Sequence, residues 1–205
     1  KSLFQNNEET RHGFSNAYRN HQARIIRHQQ KRGPSFVALD LETTGLTPSN
    51  NQIISIGAVK VEDDKVASFY RLVKLESGKN IPNDIVRVTK LNAHLLNTKG
   101  TEVKEAIIDL QHFVKNMPIV GYNLLFDERF LQAAVIKHNL IQFNNKMVDI
   151  LPYIKRVDKF CDNYQLGTIL TKYGIENKKL HNSLSDAKAT MSLTKKLIKK
   201  YSFKI

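Results

Sequence analysis

The chain has 205 residues, 41% of them hydrophobic and 25% charged, which suits a globular protein with a core of useful size. Apolar runs such as Phe36–Leu39 are far too short to cross a bilayer, and no charged start leads into a long apolar stretch, so neither a membrane span nor a signal peptide is expected. A single cysteine, Cys161, excludes a disulfide framework or a thiolate metal cluster and fits a reduced, cytoplasmic chain. The net charge of +13 sits at the ends: +5 over residues 1–35, +6 over 187–205 and only +2 between them. Basic ends suit a polyanion such as nucleic acid; solvated arms would look the same.

In chain order, Phe14, Ala17, Tyr18, Ile25 and Ile26 recur at partial helical spacing, a weak amphipathic helix that Gly33-Pro34 stops. Residues 1–34 therefore read as a basic extension and 35–205 as the domain. Phe36–Leu39 reads as a buried strand. Ile53–Val61 and Lys65–Leu75 read as a hairpin around the acidic turn Glu62-Asp63-Asp64. Thr101–Asn116 has helical period, Pro118–Val120 is a short strand, and Leu124–His138 is a helix with Asn123 placed to cap it. A strand over Met147–Ile150 and helices over 163–173 and 184–201 complete the chain. Strands first, then alternating helix and strand, predict an α/β fold with a mixed sheet flanked by helices.

Three acidic segments stand out. Phe36-Val37-Ala38-Leu39 ends in Asp40-Leu41-Glu42 before the turn Thr43-Thr44-Gly45. Residues i and i+2 of a strand share a face, so Asp40 and Glu42 form an acidic pair at a strand's carboxyl end. Such a pair repels unless a cation lies between its members, and a hard divalent ion with oxygen ligands fits. Asp127 opens the helix after the next strand, where the helix dipole alone would also favour an acid. His181 and Asp186 are five residues apart, about 140° around a continuous helix, so they share a site only if His181 lies in the loop before it. Ser183 and Asp186 equally match a capping box, which would turn Asp186 towards the backbone.

The order Asp-x-Glu-Thr-Thr-Gly, Asn-x-x-Phe-Asp and His-x-x-x-x-Asp before a last helix resembles the DEDDh (DnaQ-like) 3′→5′ exonucleases, the family of the proofreading subunits and domains of bacterial replicative DNA polymerases. The resemblance covers about residues 35–203 and implies a ribonuclease H-like fold. It implies that Asp40, Glu42, Asp127 and Asp186 hold two divalent metal ions, Mg²⁺ or Mn²⁺, and that His181 is the general base. It also implies that Thr43, Thr44, Gly45 and Asn123 approach the terminal nucleotide. Departures from the family pattern adjoin the site: Tyr122 stands where His is frequent, Ser183 where Ala is usual, and Val86-Arg87-Val88-Thr89 replaces a His-Gly-Ile-Thr stretch. Asp149 resembles a frequent family acid with no catalytic assignment. The expected activity is metal-dependent removal of nucleoside monophosphates from the 3′ end of DNA, single-stranded DNA foremost, with a DNA polymerase subunit as a possible partner. An exoribonuclease of the same family and a polymerase-associated nucleic-acid-binding module are the alternatives.

Overall fold

The computed structural model describes Tyr18, residues 33–63 and residues 65–205; the helix expected over 14–31 lies outside these apart from Tyr18. The body of the fold is the unit Ser35–Ile205. Its strands are β1 (Phe36–Thr43), β2 (Ile53–Glu62), β3 (Lys65–Leu72), β4 (Ile119–Gly121) and β5 (Met147–Asp149). Its helices are α1 (Asn83–Thr89), α2 (Ala93–Lys99), α3 (Val103–Val114), α4 (Leu124–Lys137), α5 (Ile150–Val157), α6 (Leu166–Lys172) and α7 (Ser183–Tyr201). The strands form one five-stranded sheet in the order β3-β2-β1-β4-β5. β1 runs antiparallel to β2 and parallel to β4, and β4 is parallel to β5, which is the mixed sheet expected.

Strand β1 sits in the centre of the sheet and divides its side chains between two cores. Val37, Leu39 and Leu41 pack with α3 and α4 residues such as Ile107, Leu110, Leu131 and Val135. Phe36 and Ala38 face the other way, against Ile154 of α5, Ile169 of α6 and Leu193 and Leu197 of α7. Asp40 and Glu42 continue this second face by the two-residue period of a strand. Each fully buried Ile or Leu contributes about 1.5–3 kcal/mol, so apolar packing on both faces fixes the register and gives the acids a rigid mount. Because β1 and β4 are parallel, β1's acidic end and the start of α4 lie at the same edge of the sheet.

Several local expectations change. The hairpin helices α1 and α2, between β3 and α3, carry no long apolar period; α2 is instead started by Asn92, whose side chain accepts from Leu95 N–H at 2.9 Å. The apolar run expected to remain a strand to Ile150 breaks at Asp149. Asp149 Oδ1 accepts the N–H of Leu151 at 2.9 Å and starts α5. Asn123 precedes α4 in a left-handed conformation, φ 60°, but its side chain makes no capping hydrogen bond. No helix among the described residues is long and apolar enough to cross a membrane.

Candidate active site

The acids converge on a cleft of about 630 Å³ lined by Asp40, Glu42, Asp127, Asp186, His181 and Asn123, with Tyr122 and Tyr164 on its far wall. Ligand oxygens of Asp40, Glu42 and Asp186 lie within 4.8 Å of one another. Asp127 lines the same cleft. Its Oδ1 accepts the N–H of Leu41 at 3.0 Å. β4 pairs with β1 only at Val37 and Ala38. Leu41 is therefore beyond the ladder, and Asp127 satisfies a strand donor that would otherwise be buried without a partner.

Helix α7 brings the third acid. Gly57 on β2 lies opposite Asp40, and Ser55 lies opposite Glu42. The backbone of Ser183 rests directly on Gly57: a Cβ there would come within 2.1 Å of the Ser183 carbonyl carbon. The Ser55 and Ser183 hydroxyls, both buried, are hydrogen-bonded at 2.8 Å. Ser183 thus docks the helix and does not cap it. The cap is Asn182, whose side chain accepts from Ser185 N–H at 3.0 Å.

Asp186 faces the cleft and the loop together. Its Oδ2 accepts the backbone N–H of His181 at 2.9 Å, and its Oδ1 accepts from the Asn177 amide at 2.5 Å. The capping-box geometry between Ser183 and Asp186 is absent, although Asp186 does reach back to the chain just before the helix. His181 is exposed, in a left-handed conformation with φ 61°, in the loop ahead of α7.

Charge in this cleft is unbalanced. Burial, then Asp127, Asp186 and Glu42, push the Asp40 carboxyl well above its ordinary value. Burial and Asp186 push Glu42 up to about 8. Burial raises Asp127 as well, against the opposing hydrogen bond from Leu41 N–H. Burial also raises Asp186, although the Asn177 and His181 contacts pull the other way. A partly buried, all-oxygen set of acids that resist ionisation together fits hard divalent cations, whose charge offsets the repulsion.

The turn residues are placed less directly. Thr43 Oγ1 donates to the Gly45 carbonyl at 2.7 Å, and Thr44 Oγ1 accepts from Gln52 N–H at 3.0 Å. Thr43 and Thr44 are buried, and Thr43, Thr44 and Gly45 do not line the acidic cleft. Asn123 does line it. Asn177 was not singled out by sequence, and Asp149 was noted there without a role. Asn177 accepts from Ser185 Oγ at 2.7 Å while holding Asp186. Asp149, besides starting α5, accepts Asn123 N–H at 3.0 Å and so fixes the entry to α4. At the position where the family often has His, the Tyr122 hydroxyl donates to the Tyr164 carbonyl at 2.7 Å and ties the cleft's far wall to β4.

Residues 37–194 match the model of the Exonuclease family. Among curated proteins the chain is 31% identical over 156 residues to "DNA polymerase III PolC-type" of Thermotoga petrophila, covering 76% of this chain and 11% of that protein. It is 29% identical over 177 residues to the protein of the same name from Clostridium perfringens, covering 84% of this chain and 12% of that one. The chain thus spans about a tenth of the length of these relatives. Among solved structures, E. coli exonuclease I in complex with a dT13 oligonucleotide superposes with a TM-score of 0.74 at 17% identity, over 83% of this chain and 42% of that one. The zinc-bound form of the same enzyme with single-stranded DNA gives 0.72 at 18% identity, over 83% of this chain and 42% of that one. These likenesses establish the ribonuclease H-like exonuclease fold. With most of the domain inside the family match and the DEDDh motif order intact, the chain belongs to the Exonuclease family.

Proposed function

We propose that this exonuclease domain removes nucleoside monophosphates one at a time from the 3′ end of DNA, with single-stranded DNA as the preferred substrate. The observation that carries the reading is the convergence of Asp40, Glu42 and Asp186, with Asp127 beside them, in one cleft that His181 also lines. The names of the polymerase III relatives and the oligonucleotide complexes of exonuclease I support DNA as the polymer.

Asp40, Glu42, Asp127 and Asp186 would hold two divalent ions, Mg²⁺ or Mn²⁺. When bound, these supply an activated water and neutralise charge on the phosphate. His181 accepts the proton of the attacking water at an imidazole nitrogen. A loop position open to solvent lets it return that proton afterwards. Asp127 holds the end of β1 in place through Leu41 N–H. Asn123 and the Thr43–Gly45 turn contact the terminal nucleotide, the turn through its backbone because its hydroxyls are engaged within the loop. Residues 1–34 act as a basic extension and 35–205 as the catalytic domain. The setting is proofreading or repair in the cytoplasm, alone or attached to a polymerase.

Oligonucleotides of DNA and RNA, labelled at either end, test this with Mg²⁺, Mn²⁺ or a chelator. The expected result is stepwise shortening from the 3′ end, faster on DNA, abolished by the chelator and restored by either metal. Faster digestion of RNA would make the chain an exoribonuclease. Oligonucleotide binding without hydrolysis in any metal would overturn the enzymatic reading.

A further inference from the structure

The charge of the domain is split along the sequence. Residues 35–150 carry thirteen Lys/Arg and thirteen Asp/Glu, whereas residues 151–205 carry twelve Lys/Arg and four Asp/Glu. Two of those four acids, Asp158 and Glu176, are paired with Lys172 and Lys178, and Asp186 lies in the cleft, which leaves Asp162. Eight of the twelve cations lie on α5, α6 and α7, the helices that give Leu151, Leu166, Gly167 and Asp186 to the cleft lining.

The loop between α5 and α6 connects this basic surface to the acids. Tyr164 and Gln165, at its end, line the cleft. The Tyr164 hydroxyl donates to the Asp158 carbonyl at 2.9 Å, and Lys172 Nζ lies 3.0 Å from the Asp158 carboxylate, so the loop is closed on itself and held to α6. Lys155 Nζ stands 5.5 Å from the centre of the Tyr164 ring. Within the closed loop Lys159 is exposed, and Phe160 is 96% exposed. An aromatic side chain held almost wholly in water, on a tied loop beside lysines, gains nothing for the fold. It matches the pairing of stacking platforms with cations by which proteins hold single strands.

Resting on the exonuclease reading above, we propose that α5 and the 158–165 loop form the track for the single strand upstream of its 3′-terminal nucleotide. A base stacks on Phe160, and Lys155 and Lys159 contact the backbone phosphates. The acidic cleft by itself repels a polyanion, so a cationic track beside it also supplies attraction that the catalytic groups lack.

The test uses the full chain, Phe160→Ala and the double variant Lys155→Ala/Lys159→Ala. Two substrates are compared in metal: a 15-nucleotide single-stranded oligo(dT), and the p-nitrophenyl ester of thymidine 5′-monophosphate, which reaches only the cleft. Binding of fluorescein-labelled oligo(dT) is followed separately by anisotropy at several salt concentrations, without need of hydrolysis. The expected result is a weaker oligonucleotide affinity by about 10-fold for Phe160→Ala. The double variant should show a salt slope shallower by about 1.4, two single-strand phosphate contacts' worth. KM for the oligonucleotide should rise in both, with cleavage of the ester unchanged. Parental affinity and salt slope in both variants would overturn the track and leave the exonuclease reading standing. A parent that cleaves neither substrate would instead overturn the exonuclease reading, and anisotropy would still decide the track.

Discussion

Asp186 and His181 are joined through the backbone: the His181 N–H donates to Asp186 Oδ2 at 2.9 Å, so the proposed ligand anchors the loop that presents the proposed base. A side-chain change at His181 leaves that N–H in place. His181→Asn, a residue that tolerates φ near 60°, should therefore keep Asp186 oriented and lower turnover by about 10²- to 10⁴-fold, the usual cost of losing one general base. Metal and oligonucleotide binding should stay close to parental. Steady-state kinetics of parent and variant, with metal and oligonucleotide binding measured beside them, check this, and near-parental turnover in His181→Asn would assign the water's activation to another group.

Stability of the metal-free protein should fall as pH rises. Glu42 is held at about 8 in the folded chain, against an ordinary value of 4.5, and Asp40, Asp127 and Asp186 are raised too. The folded state binds more protons than the unfolded one across that window. The stabilising contribution of Glu42 is thus fully present below about 4.5 and is lost as pH climbs through about 8. In chelator, Tm should drop between pH 5 and 8.5. Glu42→Gln should flatten the drop, and Mn²⁺ added at pH 8 should reverse it. A Tm that rises with pH without metal would contradict the electrostatics of the cleft.

Asp40→Asn should separate activity from stability. It removes one of several crowded charges, so the metal-free Tm at pH 8 should hold or increase. Hydrolysis should fall by about 10³-fold or more, because metal charge stabilisation is worth several kcal/mol and each ~1.4 kcal/mol is tenfold. Thermal melts and turnover on one preparation decide it; loss of folded protein would mark Asp40 as a structural acid.

Gly57→Ala should damage the site from outside it. The new methyl would meet the Ser183 carbonyl carbon at 2.1 Å and Leu184 N at 2.2 Å, both backbone atoms that cannot swing aside. The start of α7 must then lift from the sheet, carrying Asp186 away from Asp40. The expected cost is about 1–3 kcal/mol of stability, as for other overpacked positions, with a larger loss of activity that added metal only partly restores. Unfolding curves and a metal titration of activity measure the two effects.

How far the sequence reaches depends on the kind of signal. β1 was legible because its apolar run ends in acids two residues apart, and that period fixes their shared face. The DEDDh order placed all four acids and His181 at one cleft. Helices α1 and α2 were not legible, since each buries a single residue, Thr89 in α1 and Leu96 in α2, and so neither carries an apolar stripe. α5 was hidden by the apolar residues on both sides of Asp149, although an Asp before Ile150 is an ordinary helix-start signal. Gly57, in the interior of a strand, did carry a readable sign of close backbone approach. Asn177 carried none: it grips Asp186 from nine positions back, across the loop and the first turn of α7, a separation that no spacing rule anticipates. Thr43 and Thr44 fit the motif, but only the structure reveals that their hydroxyls are spent inside the turn.

The two-sided packing of β1 sets what kind of change this site can survive. Substitutions among Phe36, Val37, Ala38 and Leu39 alter volume and leave direction alone. A one-residue insertion or deletion there would exchange the faces of everything downstream. Asp40 and Glu42 would enter the core now filled by Leu39 and Leu41, and an apolar side chain would occupy the cleft. Across divergent sequences the length from Phe36 to Glu42 should therefore be kept even where the identities of its apolar residues drift.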